Sequence, residues 1–340
     1  MGIITAYLIK TLLFQILPGL SLSVLVARKW PEWPLPIPLA IGLGSASLIG
    51  IWLINIVMLL LPGLPAWVHV GLALVPLGVF LPWSLLNRSW VLVFQRLKGI
   101  AVWQFMVGTL AVGMVLMVAL FYAYKKPVSE HDAFEYLALG KQLGRDRAIT
   151  YSKYAYFENS GFFYVGRHAF AYPLNFTLES LSDSVVGPSD ALYFRAYSSF
   201  YLLLLALLLY GILRLYFRDQ SFWLTLFFIL NYGLIFNALQ FHLDSARIFF
   251  LLATVLVLIQ WPVNPEKRHY ITLGVFMGFQ AYMHSIGAIF AGIELLALVV
   301  YLTIQKTIVW PKMAQVAALA LLFGGYHYVI DTFWGTGWIF

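Results

Sequence analysis

The 340-residue sequence contains no cysteine, which excludes disulfides, thiolate metal ligands and a cysteine nucleophile. Charge is scarce as well. Asp, Glu, Lys and Arg make up only 10% of the residues, too few to cover the surface of a water-soluble domain of this length. A cleavable signal-peptide pattern is not seen, because the first apolar segment continues through Pro18-Gly19 and is soon followed by another. The net charge of +7 does not point to nucleic acid, since the basic residues lie mostly beside apolar runs, where they act as topology signals.

Apolar residues dominate what remains. Hydrophobic residues account for 62% of the chain, with 12 Trp, 20 Tyr and 27 Phe, and the mean hydropathy is +0.85. Such a composition predicts an all-α polytopic membrane protein. Taking about 20 residues per crossing, the sequence predicts about ten transmembrane helices, near 5–27, 37–61, 67–84, 100–124, 191–213, 221–239, 243–260, 270–284, 287–305 and 313–330. Pro76 and Pro82 interrupt the third, and 270–305 reads as one long bent helix or two short ones. Three regions follow: N-terminal helices over 1–124, an external membrane-surface domain over 125–190, and about six helices over 191–340.

The short connections sort by charge. Arg28 and Lys29; Arg88, Arg96 and Lys98; Arg214 and Arg218; Lys267 and Arg268; and Lys306 and Lys312 fall in alternate loops, which the positive-inside rule makes cytoplasmic. The segment 125–190, with seven basic and eight acidic residues, then lies outside. The same assignment puts His242, Asp244, Arg247, His284, His327 and Asp331 on that outer side. One polar face over a hydrophobic body suits an enzyme whose substrate enters from the membrane.

Within the long segment, "SEHDAFEYLALGKQLG" has helical character, with Phe134, Leu137 and Ala138 on one face. The aromatic-rich stretch after it suits headgroup depth. Asp132, beside His131 and near Glu130, is the leading candidate general base, positioned at a helix end and partly desolvated. Ser129-x-x-Asp132 also fits a helix capping box, so one carboxylate has two competing roles. In "FHLDSARIFF", Asp244 and Arg247 stand three apart on one helix face; either they form a neutral pair, or Arg247 or His242 faces a phosphate while Asp244 orients a hydroxyl or a cation. His284, and the i,i+4 pair His327 and Asp331, are further candidates for phosphate or hydroxyl contacts.

Taken in order, Asp132-x-x-x-Tyr136-x-x-x-Gly140, the "AYPLN" passage (Ala171 to Asn175), "LDSARIFFLLATVLVL", "GVFMGFQAYMHSIGAIF" and "YHYVIDTFWGTG" resemble the N-terminal membrane module of GT-C fold glycosyltransferases, which use polyprenyl-phosphate sugars. The resemblance covers about 120–340. It implies an inverting transfer in which Asp132 deprotonates an acceptor hydroxyl, with Asp244 as a second catalytic carboxylate. The leaving lipid phosphate requires cationic donors, drawn from Arg247, His242, His284, Lys153, Arg167 and His168. Mg or Mn, held by Glu130, Asp132 and Asp244, is compatible with this chemistry. The implied setting is a bacterial inner membrane, with the active face periplasmic or extracellular, and membrane lipids and the polyprenyl-phosphate sugar as partners. The sequence departs from the family's layout in the spans preceding the acidic loop, in the single proline of "AYPLN", and in ending at Phe340. A protein partner supplying further helices or a soluble domain, a minimal enzyme, and a scaffold subunit without activity are all consistent with those departures.

Overall fold

The computed structural model describes residues 2–97, 121, 123–125, 131–147, 153–157, 162–165, 171–239, 244–326 and 328–329. Those residues are helical apart from their connections and one short antiparallel hairpin. Among them, five helices are long and apolar enough to cross a membrane: Ile3–Lys29, Pro36–Leu60, Ala66–Leu86, Leu192–Tyr216 and Ile286–Ile304. The chain forms two compact units, Met1–Arg147 with Tyr172–Phe249, and Ala148–Ala171 with Phe250–Phe340.

In the first unit, α1 spans Ile3–Lys29, with a π-helical turn at Leu12–Ile16. It is followed by α2 (Pro36–Leu60), α3 (Ala66–Leu86), the short amphipathic α4 (Ser89–Leu97) and α5 (His131–Asp146). Helix α3 runs unbroken through Pro76 and Pro82. Helix α2 is central, packed against α1, α3 and the later α7 (Leu192–Tyr216). Small residues permit the close approach: a Cβ at Gly42 would collide with the Ser23 hydroxyl and amide, and one at Gly19 with the Leu43 backbone. With little hydrophobic drive between helices in lipid, such backbone-level contact supplies much of the association.

The two ends of this unit differ in charge. At one, Arg28 donates to the Asn87 carbonyl (2.6 Å). Arg96 donates to the carbonyls of Pro31 (2.6 Å) and Trp33 (3.4 Å), and Ile37 packs where a Gly211 Cβ would be. This end therefore gathers Arg28, Lys29, Arg88 and Arg96 with the C-terminal end of α7. At the opposite end the Gly63 amide, between α2 and α3, donates to the Arg147 carbonyl just past α5 (2.9 Å). Helix α6 (Ala171–Val186) lies against α5, with the Thr177 hydroxyl donating to the Gly140 carbonyl (3.0 Å) and Gly144 facing Ser180.

The face of α5 that buries is Gly140 and Leu143, whereas Ala138 is exposed. Of the expected apolar face, Leu137 is part-buried and the Phe134 side chain lies outside the described residues, while Gly140 and Gly144 are where α6 approaches. The expected span 221–239 is two short helices, α8 (Ser221–Ile229) and α9 (Tyr232–Leu239). Asn231 explains the break: its side-chain oxygen accepts from the Gly233 amide (2.9 Å) and restarts the helix. Helices of nine and eight residues are roughly 12–14 Å long, too short to cross alone.

Helix α10 (Asp244–Ile259) passes from the first unit into the second at Phe249–Phe250. The second unit contains the hairpin of β1 (Lys153–Phe157) and β2 (Phe162–Val165), in a chain expected to be all-α. Its helices are α11 (Lys267–Met283), α12 (Ser285–Ile304) and α13 (Trp310–Ala320), the last continuing into a π-helical turn at Leu321–Gly325. The 270–305 region is therefore two helices, separated at His284. Glycines again set the spacing: Gly274 and Gly278 of α11 face Leu319 and Ala320 of α13. The segment 100–124, expected to be a fourth span, lies almost wholly outside the described residues.

Candidate functional site

The most developed polar cluster lies at the first unit's Gly63–Arg147 end and is built from residues the sequence reading did not single out. Helix α7 is preceded by Asp190 and Ala191, both in the left-handed region (φ 53° and 57°), a conformation costing a non-glycine residue about 1–3 kcal/mol. That turn presents the first amides of α7 to Glu179 of α6. Tyr193 N–H donates to Oε1 (3.2 Å) and Phe194 N–H to Oε2 (2.9 Å). The carboxylate thus occupies the positive end of the helix dipole. Ser189 adds a short hydroxyl hydrogen bond to Glu179 Oε1.

Lys10 closes the cluster from α1. Its Nζ donates to Asp183 Oδ1 (2.5 Å), Ser189 Oγ (3.0 Å) and the Glu179 carbonyl (3.2 Å), so all three ammonium hydrogens are used. Lys10 is 0% exposed and Glu179 1%, whereas the Asp183 side chain is 41% exposed. Burial pushes the Glu179 carboxyl above the usual carboxylate range, while the Ser189 hydroxyl, the Phe194 amide, the Lys10 charge and the Tyr193 amide work against that rise. Below this cluster Tyr193, Tyr197 and Tyr201 form a buried stripe along α7, ending where the Tyr201 hydroxyl donates to the Gly44 carbonyl of α2 (2.5 Å). Arg195, on another face of α7, donates to the Asp190 carbonyl (2.7 Å). Chemically this is a hydrogen-bonded clamp joining α1, α6 and α7.

The residues expected to carry chemistry are distributed differently. His131 and Asp132 are the first two residues of α5. Asp132, Tyr136, Gly140 and Gly144 recur every four residues, and at Gly140 and Gly144 that line meets α6. The spacing thus carries helix packing in its second half. Asp244 and Arg247 are brought together as an ion pair at the start of α10 (2.6 Å), with side chains 28% and 20% exposed. This is the neutral-pair arrangement. His284 belongs to the second unit, where its Nδ1 accepts from the Ile286 amide (3.1 Å) and caps α12. Glu130, Arg167, His168, His242, His327 and Asp331 lie outside the described residues, as does the side chain of Lys153.

Among the described residues no three His, Asp or Glu side chains group closely enough to hold a metal ion. Asn175, first residue of the sequon Asn175-Phe176-Thr177, is 0% exposed, and Thr177 is engaged by α5. The folded chain therefore withholds that site from modification.

A lone lysine in an apolar segment was the available signal for the clamp, since an intramembrane cation must find partners. Its partners stand 173 and 179 residues away in the chain, so the sequence announces a need without naming who meets it. No family model, no curated protein and no solved structure matches the chain.

Proposed function

We propose that the chain is an integral membrane protein that transfers a sugar from a polyprenyl-phosphate donor to an acceptor hydroxyl at its non-cytoplasmic face. The observation that supports this reading is the charge asymmetry of the first unit. Arg28, Lys29, Arg88 and Arg96 gather at one end, and the helix that begins with His131 and Asp132 belongs to the opposite one. By the positive-inside rule the Asp132-bearing end faces outward. In this reading Asp132 takes the acceptor proton as the hydroxyl oxygen attacks the anomeric carbon, the glycosidic C–O bond breaks, and the lipid phosphate leaves with the bonding pair. Arg247 would have to exchange Asp244 for the phosphate to serve as a clamp.

Membranes carrying the wild type or Asp132→Asn, supplied with radiolabelled polyprenyl-phosphate sugars and lipid or glycan acceptors, provide the test. Loss of a positioned base lowers turnover by about 10²–10⁴-fold, and equal product from the two proteins would rule out Asp132. A second reading, a non-catalytic membrane subunit, is favoured by the fact that Lys10, Glu179, Asp183, Asp244 and Arg247 are all engaged in intramolecular bonds. That reading predicts no product from either protein and co-purification with a partner chain.

A further inference from the structure

Helix α12 buries one narrow stripe, Gly287, Ala291, Glu294, Leu298 and Leu302, while Ile289, Ile293, Leu296 and Val300 are exposed. The stripe packs on α11, for a Cβ at Gly287 would collide with the Gln280 carbonyl. Helix α11 is the described helix that α12 chiefly packs against. Leu273 is fully buried, and Phe276 and Met277 beside it are buried and apolar as well.

Glu294 lies near the middle of a 19-residue span and is 8% exposed. Among the described residues neither of its carboxyl oxygens has a hydrogen-bond partner. The charged and titratable groups of the helix packed against it are committed elsewhere. Arg268 pairs with Glu266 (3.2 Å), the His269 ring accepts from the Glu266 amide (3.2 Å), and Tyr270 packs on Trp261 with Lys312 over its ring; Lys267 is at the helix start and Tyr282 at its far end. On α12 itself the other titratable group is Tyr301, two turns away and half exposed. An ionised carboxylate without a partner in such surroundings is strongly disfavoured, and the group takes up a proton instead.

We propose that Glu294 is a proton-binding site inside the membrane: as the neutral acid it lets the α11–α12 seam stay closed, and its proton passes to water when the seam opens. Both carboxyl oxygens are buried, so the proton exchanges only when that seam opens. Release of the proton places an uncompensated charge in the seam and loosens it. This inference does not depend on the glycosyl-transfer reading.

A lipid-soluble carbodiimide tests it on the full chain in liposomes. The acid O–H adds across one C=N bond to give an O-acylisourea, which rearranges to the stable N-acylurea with every atom retained; only the protonated carboxyl reacts. Peptide mapping by mass spectrometry is expected to find the adduct at Glu294, falling about tenfold per pH unit on the alkaline side of the titration and vanishing in Glu294→Gln. Infrared difference spectra of the wild type are expected to contain a protonated-carboxyl C=O band that this substitution removes. Glu294 unlabelled in liposomes yet labelled after denaturation, labelling that does not change with pH, or absence of that band would each overturn the proposal. Should Glu294→Gln fail to fold, the pH series of the adduct mapped to Glu294 in the wild type decides alone.

Discussion

Among the described residues two glutamates are buried, one in each unit, and they are treated in opposite ways. Glu179 accepts from two backbone amides and a hydroxyl, with a lysine alongside. Glu294 is buried nearly as deeply, at 8% exposure against 1%, without a hydrogen-bond partner among the described residues. Burial of an acid therefore does not by itself tell what the acid is for. A carboxylate with both oxygens hydrogen-bonded is part of the scaffold and resists change, whereas one with neither bonded has only its proton to trade.

The comparison is broken most directly by removing Glu179. Glu179→Leu strands the amides of Tyr193 and Phe194 and takes the acceptor from the Ser189 hydroxyl, so a loss of about 3–5 kcal/mol is expected, read as a fall in the thermal midpoint of the detergent-solubilised protein. Lys10→Met removes the charge while keeping the stem. Because Asp183 reaches solvent, the expected loss is smaller, about 1–3 kcal/mol, and adding Asp183→Asn to that variant should cost little more, as a double-mutant cycle would record. Glu294→Leu is expected to change sign and raise stability by about 1 kcal/mol, and equal destabilisation by Glu179→Leu and Glu294→Leu would erase the distinction between the two acids. The smallest effect belongs to Arg247→Gln, which opens a partly exposed i,i+3 pair and should move stability by about 0.5 kcal/mol or less, seen as a shift in the thermal midpoint that shrinks with added salt.

Legibility in the sequence followed the range of the interactions. Apolar length alone located the five helices able to cross a membrane, and the charge of short loops anticipated that Arg28, Arg88 and Arg96 share an end. Local chemistry was partly readable: Asp244 and Arg247 three apart do pair, and the His284 region does interrupt the helix. The break at Asn231 has a local cause too, in its bond to Gly233, but it was hidden by the apolar residues on both sides. What pattern could not supply was contact between distant segments. The spacing from Asp132 to Gly140 drew attention as chemistry, although Gly140 and Gly144 are explained by Thr177 and Ser180 on another helix. Likewise Lys10, the residue with the most exacting surroundings, offered only its own oddity.

The π-helical turn at Leu12–Ile16 separates the Lys10 portion of α1 from the Gly19–Ser23 portion that packs on α2. Such a turn is the imprint of one surplus residue accommodated in a helix. A one-residue deletion there would restore a regular helix and keep Lys10 on the face that meets Asp183 and Ser189, whereas a further insertion beyond what the turn absorbs would swing the N-terminal portion by about 100° relative to the rest. The first helix is therefore asymmetric toward changes in its length. Insertion and deletion scanning across residues 11–17 should reveal that asymmetry, with single deletions expressed as folded protein and single insertions lost.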